Sequence, residues 1–205
     1  MNGFDVLAPV YDRFARLVYG SAIREAQLFF LRAIPSSADV LILGGGTGWL
    51  LAELLKTHPE IKVWYIEASA KMIEQAERKL SEQQKSKVKF IYGTEDSIPR
   101  EVQFHAVITA FYLDLFAPVT LQRVIDTIKT SLAPDSVWLV SDFAGRKIWW
   151  QRMLLTLMYV FFRWCCGIEA KQLPPWEQYM RTQGLAVKEE QLFFRGFIKS
   201  VRYSR

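Results

Sequence analysis

The sequence predicts an α/β fold, a mainly parallel sheet with helices on both faces. Three observations carry this. Short apolar runs recur along the chain as buried strands, helical patterns alternate with them, and a glycine-rich turn joins the first strand to a helix. At 205 residues and 51% hydrophobic, the chain can bury one sizeable core, and no linker or repeat divides it.

Val40 to Leu43 reads as the first strand, Gly44-Gly45-Gly46-Thr47-Gly48 as the turn, and Trp49 to Lys56 as the start of a helix. Glycine suits a turn whose backbone must take φ > 0 or come into contact with a ligand. Between a strand and a helix N-terminus, such a turn points N–H groups at a nucleotide-like molecule. Lys62 to Ile66 forms the second strand and ends at Glu67, a carboxylate placed to accept both ribose hydroxyls of an adenosine; the competing reading is a solvated strand end. Ser69 is a helix N-cap. Val88 to Tyr92 is the third strand and Ala106 to Thr109 the fourth. Leu121 to Leu132 is a helix, Pro134-Asp135 a turn, and Val137 to Ser141 the fifth strand. Val187 to Phe194 and Phe197 to Tyr203 flank Arg195-Gly196 as a hairpin.

The sixth place of the glycine turn narrows the ligand. A dinucleotide fold wants a third glycine there, where this chain has Trp49. A Walker loop needs Gly-Lys-Ser/Thr, and no lysine follows Gly48. Tubulin-like GTPases share the Gly-Gly-Gly-Thr-Gly run, but not the strand leading into it or the large residue behind it. The segment Val40–Gly48 closely resembles motif I of class I S-adenosylmethionine-dependent methyltransferases. Glu67-Ala68-Ser69-Ala70-Lys71-Met72 resembles that family's second motif, and Gly93-Thr94-Glu95-Asp96-Ser97-Ile98-Pro99 its third.

The resemblance implies a seven-stranded, Rossmann-like, mostly parallel sheet of order 3-2-1-4-5-7-6, with strand 7 antiparallel. It implies S-adenosyl-L-methionine as cofactor, held by Gly44, Gly45, Gly46, Thr47, Gly48, Glu67, Ala68 and Met72. Thr94 and Glu95 become adenine neighbours, and Thr109 and Ala110 contacts at the end of the fourth strand. Two slots depart from the pattern: Ile42 stands where an acidic residue is frequent, and Thr94 where an aspartate is. A narrower resemblance rests on Tyr11-Asp12-Arg13-Phe14, Phe111-Tyr112-Leu113-Asp114, Val140-Ser141-Asp142-Phe143 and Met158 to Arg163. These look like small bacterial class I methyltransferases related to the menaquinone and ubiquinone biosynthesis enzymes. The implied organisation is one domain over residues 1–205: a helical cap (1–37), a cofactor-binding core (38–142), a helical lid (146–184) and a hairpin (185–205).

The implied chemistry is in-line methyl transfer to a small hydrophobic or amphipathic molecule, its nucleophile held ~3–3.5 Å from the methyl carbon. Where a proton must leave the acceptor, Asp114 and Asp142 are the candidate bases, since ligands of open α/β sheets sit at the carboxyl ends of the strands. Helix capping or loop tying is the rival role for each. Tyr11, Phe111, Tyr112, Tyr159 and Arg163 are candidate substrate contacts. A non-catalytic cofactor-binding or dimerising scaffold is the competing function. An aminopropyltransferase is disfavoured by Thr109, which stands where those enzymes have aspartate.

Lys147 to Gly167 reads as a helix with Arg152, Thr156, Tyr159 and Arg163 on one stripe and large apolar residues around the rest. The stripe faces an enclosed polar cavity, or the helix lies in a membrane interface, or its outer face meets a second copy in a homodimer. Residues 1–145 hold 15 basic and 17 acidic side chains, residues 146–205 hold 11 and 4, and no nucleic-acid-reading module accompanies the excess. Adjacent Cys165 and Cys166 fit packing in a reducing compartment. His58 and His105 stand apart, so no metal site is expected. With no signal-like N-terminus and no ~20-residue apolar run, a cytoplasmic protein is expected.

Overall fold

The computed structural model describes residues 19–144 and 148–205. Tyr11, a candidate substrate contact, lies outside them. Helix α1 (Ala22–Leu28) precedes β1 (Asp39–Leu43), α2 (Trp49–Thr57), β2 (Lys62–Glu67), α3 (Ala70–Arg78) and the single turn α4 (Glu82–Lys85). There follow β3 (Val88–Tyr92), β4 (Phe104–Ala110), α5 (Pro118–Thr130), β5 (Leu132–Phe143), α6 (Trp149–Cys166), α7 (Trp176–Thr182), β6 (Ala186–Phe193) and β7 (Ile198–Ser204).

The seven strands form one sheet of order β3-β2-β1-β4-β5-β7-β6. β1, β2, β3, β4 and β5 pair in parallel, and β7 runs antiparallel to β5 and to β6. Strand alternation divides the core in two. In β1, Leu41 and Leu43 face one side, with Trp138, Val140 and the α5 residues Leu121, Val124, Ile125 and Ile128. Val40 and Ile42 face the other, with Leu50, Leu51, Leu54 and Leu55 of α2. The central strands β1 and β4 are buried on both faces and so had to be largely apolar, which is why they read as continuous runs. The edge strand β3, by contrast, has no fully buried residue.

The helix expected over Leu121–Leu132 runs over Pro118–Thr130 and the fourth strand over Phe104–Ala110, and two further differences change the local structure. The fifth strand begins at Leu132, which pairs with Phe104, and Pro134-Asp135 bulges within β5 instead of preceding it. Proline offers no N–H to a ladder and Asp135 takes φ 57°, so the strand kinks there without ending. The hairpin turn is also wider: Phe194, Arg195 and Gly196 all have positive φ, and Phe194 leaves the strand to pack against Tyr19 and Trp150.

Strand order reverses between β1 and β4, so a crevice opens at the carboxyl ends of these two strands. Helix α1 closes one side of it. The Ala26 carbonyl accepts from Ser141 Oγ at 3.0 Å and Ser200 Oγ at 2.7 Å, fixing α1 to β5 and β7. Helix α6 closes the other. Gln151 donates to the Arg195 carbonyl at its first turn and Tyr159 to the Asp114 carbonyl further along.

Candidate functional site

The crevice is lined at one end by Gly44, Gly45, Gly46 and Thr47 of the first turn, with Glu67, Ala68 and Met72 opposite and Thr94 at its edge. Gly46 has φ +65°, and a Cβ there would meet nothing within 4 Å, so the turn is open to the crevice. Gly45 is the contrary case. A Cβ on it would fall 2.1 Å from the Tyr65 ring, whose hydroxyl donates to the Gly46 carbonyl at 2.7 Å. Gly45→Ala is therefore expected to lower the melting temperature by roughly 3–10 °C, the cost of about 1–3 kcal/mol for overpacking. An unchanged thermal melt would show that Tyr65 moves aside freely.

Glu67 is buried at the end of β2. Its Oε2 accepts from Gly46 N and its Oε1 from Ser69 N, each at 2.9 Å. These bonds aim the carboxylate at the glycine turn. Ser69 in turn caps α3 by accepting from Met72 N.

Beyond the glycine turn the walls become apolar and aromatic. Phe111 and Tyr112 come from the end of β4, Phe143 from β5, Met158, Tyr159 and Phe162 from α6, and Ile168 from the segment after it. Phe111 takes φ 54°, a strained conformation for an aromatic residue, and its N–H donates to the Ser141 carbonyl. Tyr112 lies against Gly44, where an added Cβ would fall 2.5 Å from its ring.

Asp114 reaches the crevice from the 3-10 turn Leu113–Leu115, and its Oδ1 is buried without a hydrogen-bond partner. Burial pushes its carboxyl up to about 7, against hydrogen bonds from its own N–H, from Asp142 and from Tyr159 that favour the charged form. Asp142 is buried too, and its pKa is raised well above the ordinary range, by burial first and the Asp114 charge second. Its oxygens accept from the backbone N–H groups of Leu113, Asp114 and Phe143 at 3.1, 3.2 and 2.8 Å.

Five expected site residues lie outside the crevice lining. Asp142 is the cap of the Leu113–Leu115 turn, occupied by backbone donors. Glu95 is turned inward, where it accepts from Tyr112 Oη at 2.9 Å and Arg123 at 2.7 Å; it holds the Tyr112 ring instead of facing the crevice. Thr109 accepts from Trp138 Nε1 at 2.9 Å, because strand alternation points it into the α5 side of the core. Gly48 begins α2 and packs on Ala76 of α3, with room for no side chain. Arg163 is exposed, so the α6 stripe does not face an enclosed cavity; of its members only Tyr159 is buried and in the crevice.

The sequence reading missed Tyr19, Ile23, Arg24 and Gln27, which line the crevice from α1 and the residues before it. The Arg24 guanidinium lies over the Trp49 ring, 4.6 Å from its centroid. Trp49, the residue that broke the dinucleotide pattern, thus supports a cation at the crevice. Among the described residues, no group of three or more His, Cys, Asp or Glu could hold a metal ion.

Residues 40–135 match the family model described as a methyltransferase domain. No curated protein matches the chain in sequence. Among solved structures, the chain is similar to an O-methyltransferase family protein from Burkholderia thailandensis, with TM-score 0.73 and 16% identity over 98% of this chain and 59% of that one. It is also similar to the 1,6-didemethyltoxoflavin-N1-methyltransferase of the same organism, bound to 1,6-didemethyltoxoflavin and S-adenosylhomocysteine. There the TM-score is 0.69 and the identity 16%, over 99% and 86% of the two chains. A family 2 O-methyltransferase from Planctomyces limnophilus in complex with apigenin gives a TM-score of 0.69 at 12% identity, covering 94% of this chain and 61% of that one. The chain thus spans about three fifths of the first structure it matches. Residues 40–135 thus match a methyltransferase domain, and the sheet order is that of the Rossmann-like methyltransferase fold.

Proposed function

We propose that this protein transfers the methyl group of S-adenosylmethionine to a small, apolar acceptor bearing a hydroxyl or N–H, with Asp114 taking the acceptor's proton. The observation that carries this is the continuity of the crevice. A polar end built from Gly44–Thr47 and Glu67 runs into an aromatic end containing one buried carboxyl with an oxygen to spare.

The residues fit the cofactor. Glu67 is an acceptor-only carboxylate held beside the glycine turn, the kind of group that ribose hydroxyls donate to. Thr94, Ala68 and Met72 border the adenine side, and Gly46 leaves the turn unobstructed. Arg24, held over Trp49, supplies the charge for the carboxylate at the methionine end. Bound there, S-adenosylmethionine brings an activated methyl group, so the protein's task is placement, exclusion of water and removal of a proton.

Phe111, Phe143, Phe162 and Ile168 exclude water from the acceptor end and favour a flat apolar molecule. Asp114, titrating near 7, is matched to a base that works at neutral pH. Tyr159 holds the Asp114 turn through the backbone carbonyl at 3.3 Å.

Calorimetry with S-adenosylhomocysteine tests the first half. Micromolar binding is expected, and Arg24→Ala is expected to weaken it roughly ten- to a hundredfold, since a charge-assisted hydrogen bond contributes about 1.5–3 kcal/mol. Absence of binding to the parent protein would end the methyltransferase reading. Equal binding by both proteins would remove Arg24 from it.

A further inference from the structure

We propose that the outer face of α6 docks on an anionic lipid surface. The helix has two distinct sides. On one, Gln151, Leu155 and Tyr159 are buried. On the other, Trp149, Met153, Leu157, Val160 and Trp164 are 74, 53, 59, 63 and 86% exposed. These five recur every three or four residues and make one apolar stripe along the helix, about 27 Å for its 18 residues. No described residue covers it. Monomeric soluble proteins rarely leave so continuous a row of large apolar side chains in water. No described helix is long and apolar enough to cross a membrane, so such a helix would lie in the plane of the interface.

Charge decides between a lipid surface and a second copy. Helix α6 contains Arg152 and Arg163 and no carboxylate. Arg152 and Arg163 are exposed and fall beside the apolar stripe. Pairing this face with its own copy would double the cations and bring no counter-charge. Anionic headgroups supply that charge, and their attraction for cations weakens with salt. A tryptophan at each end of the stripe suits the headgroup boundary, where the indole ring is buried and its N–H stays wet. The inner side of the same helix contributes Met158, Tyr159 and Phe162 to the crevice. Docking would therefore hold the crevice about one helix diameter, roughly 10 Å, from the bilayer; an acceptor dissolved in the lipid follows only if the proposed function holds as well.

The test is co-sedimentation of the full chain with vesicles of phosphatidylcholine alone and with phosphatidylglycerol added. We expect at least about tenfold stronger partition onto the anionic vesicles, reduced by high salt. Leu157→Glu should abolish it while leaving the melting curve and the circular dichroism spectrum unchanged. The proposal is overturned if the protein stays in the supernatant with both vesicles, or if Leu157→Glu partitions like the parent. It is equally overturned if light scattering shows a dimer that Leu157→Glu splits, because the face then belongs to a second copy. None of these readouts depends on cofactor binding or turnover, so failure here and failure of the methyltransferase reading are separate results.

Discussion

Asp114→Asn is expected to cut turnover by roughly a hundredfold or more and yet to melt at a higher temperature than the parent at pH 8. The loss follows from removing a general base, an effect of about 10²–10⁴-fold. The gain follows from burial. The Asp114 carboxyl titrates near 7 in the folded protein against an ordinary value of 3.8. Below about pH 4 both folded and unfolded chains hold the proton, and the side chain costs nothing. Between about pH 4 and 7 the unfolded chain releases it and the folded chain does not, so stability falls as pH rises. Above 7 the loss is complete.

Asparagine keeps the shape and cannot ionise. It also takes away the charge that helps raise the pKa of Asp142. The stabilisation at pH 8 should be about 4 kcal/mol, or roughly 8–16 °C in melting temperature for a chain of this length. The gap should shrink steadily towards pH 4. Turnover by the parent should run the other way and rise with pH through about 7. Melting curves at pH 4 and pH 8, read beside a pH–rate profile, check both slopes. A melting difference independent of pH, or full turnover by the variant, would mean that Asp114 only supports its loop.

Asp114 and Asp142 also mark where the sequence stops being informative. Each is a single acidic residue near the end of a strand, and nothing local separates them. Three backbone N–H groups satisfy Asp142, whereas one oxygen of Asp114 has none, and that difference is made by the turn at Leu113–Leu115. The glycine turn and Glu67 were legible because a strand end, a turn and a helix start are contiguous in the chain. The sheet order was legible too, through the resemblance those motifs carry. Helical phase was only half legible. Spacing placed Tyr159 and Arg163 on one stripe of α6, but the edge of burial runs between them, and only packing fixes that edge. The contribution of α1 was not legible at all. Arg24 sits in an ordinary amphipathic stretch, and its position over Trp49 depends on two serines, Ser141 and Ser200, more than a hundred residues away.

Glu67→Gln is expected to weaken S-adenosylhomocysteine binding by about a hundredfold while leaving the fold intact. The carboxylate accepts from Gly46 N and Ser69 N, one on each oxygen. Glutamine has a single acceptor oxygen, so its amide nitrogen must face one of those N–H groups, donor against donor. The charge that strengthens bonds to the ribose hydroxyls is lost as well. A hydrogen bond to a charged group contributes about 1.5–3 kcal/mol, and 1.4 kcal/mol is tenfold in affinity. Weaker binding alone would not locate the contact, because a disturbed glycine turn has the same effect. A ligand without the ribose hydroxyls separates the two. If Glu67 holds the sugar, the dideoxy analogue binds the parent weakly and binds Glu67→Gln no worse, so the two changes are not additive. If the penalties add in full, the carboxylate acts through the backbone of the turn, and the cofactor's sugar lies elsewhere in the crevice.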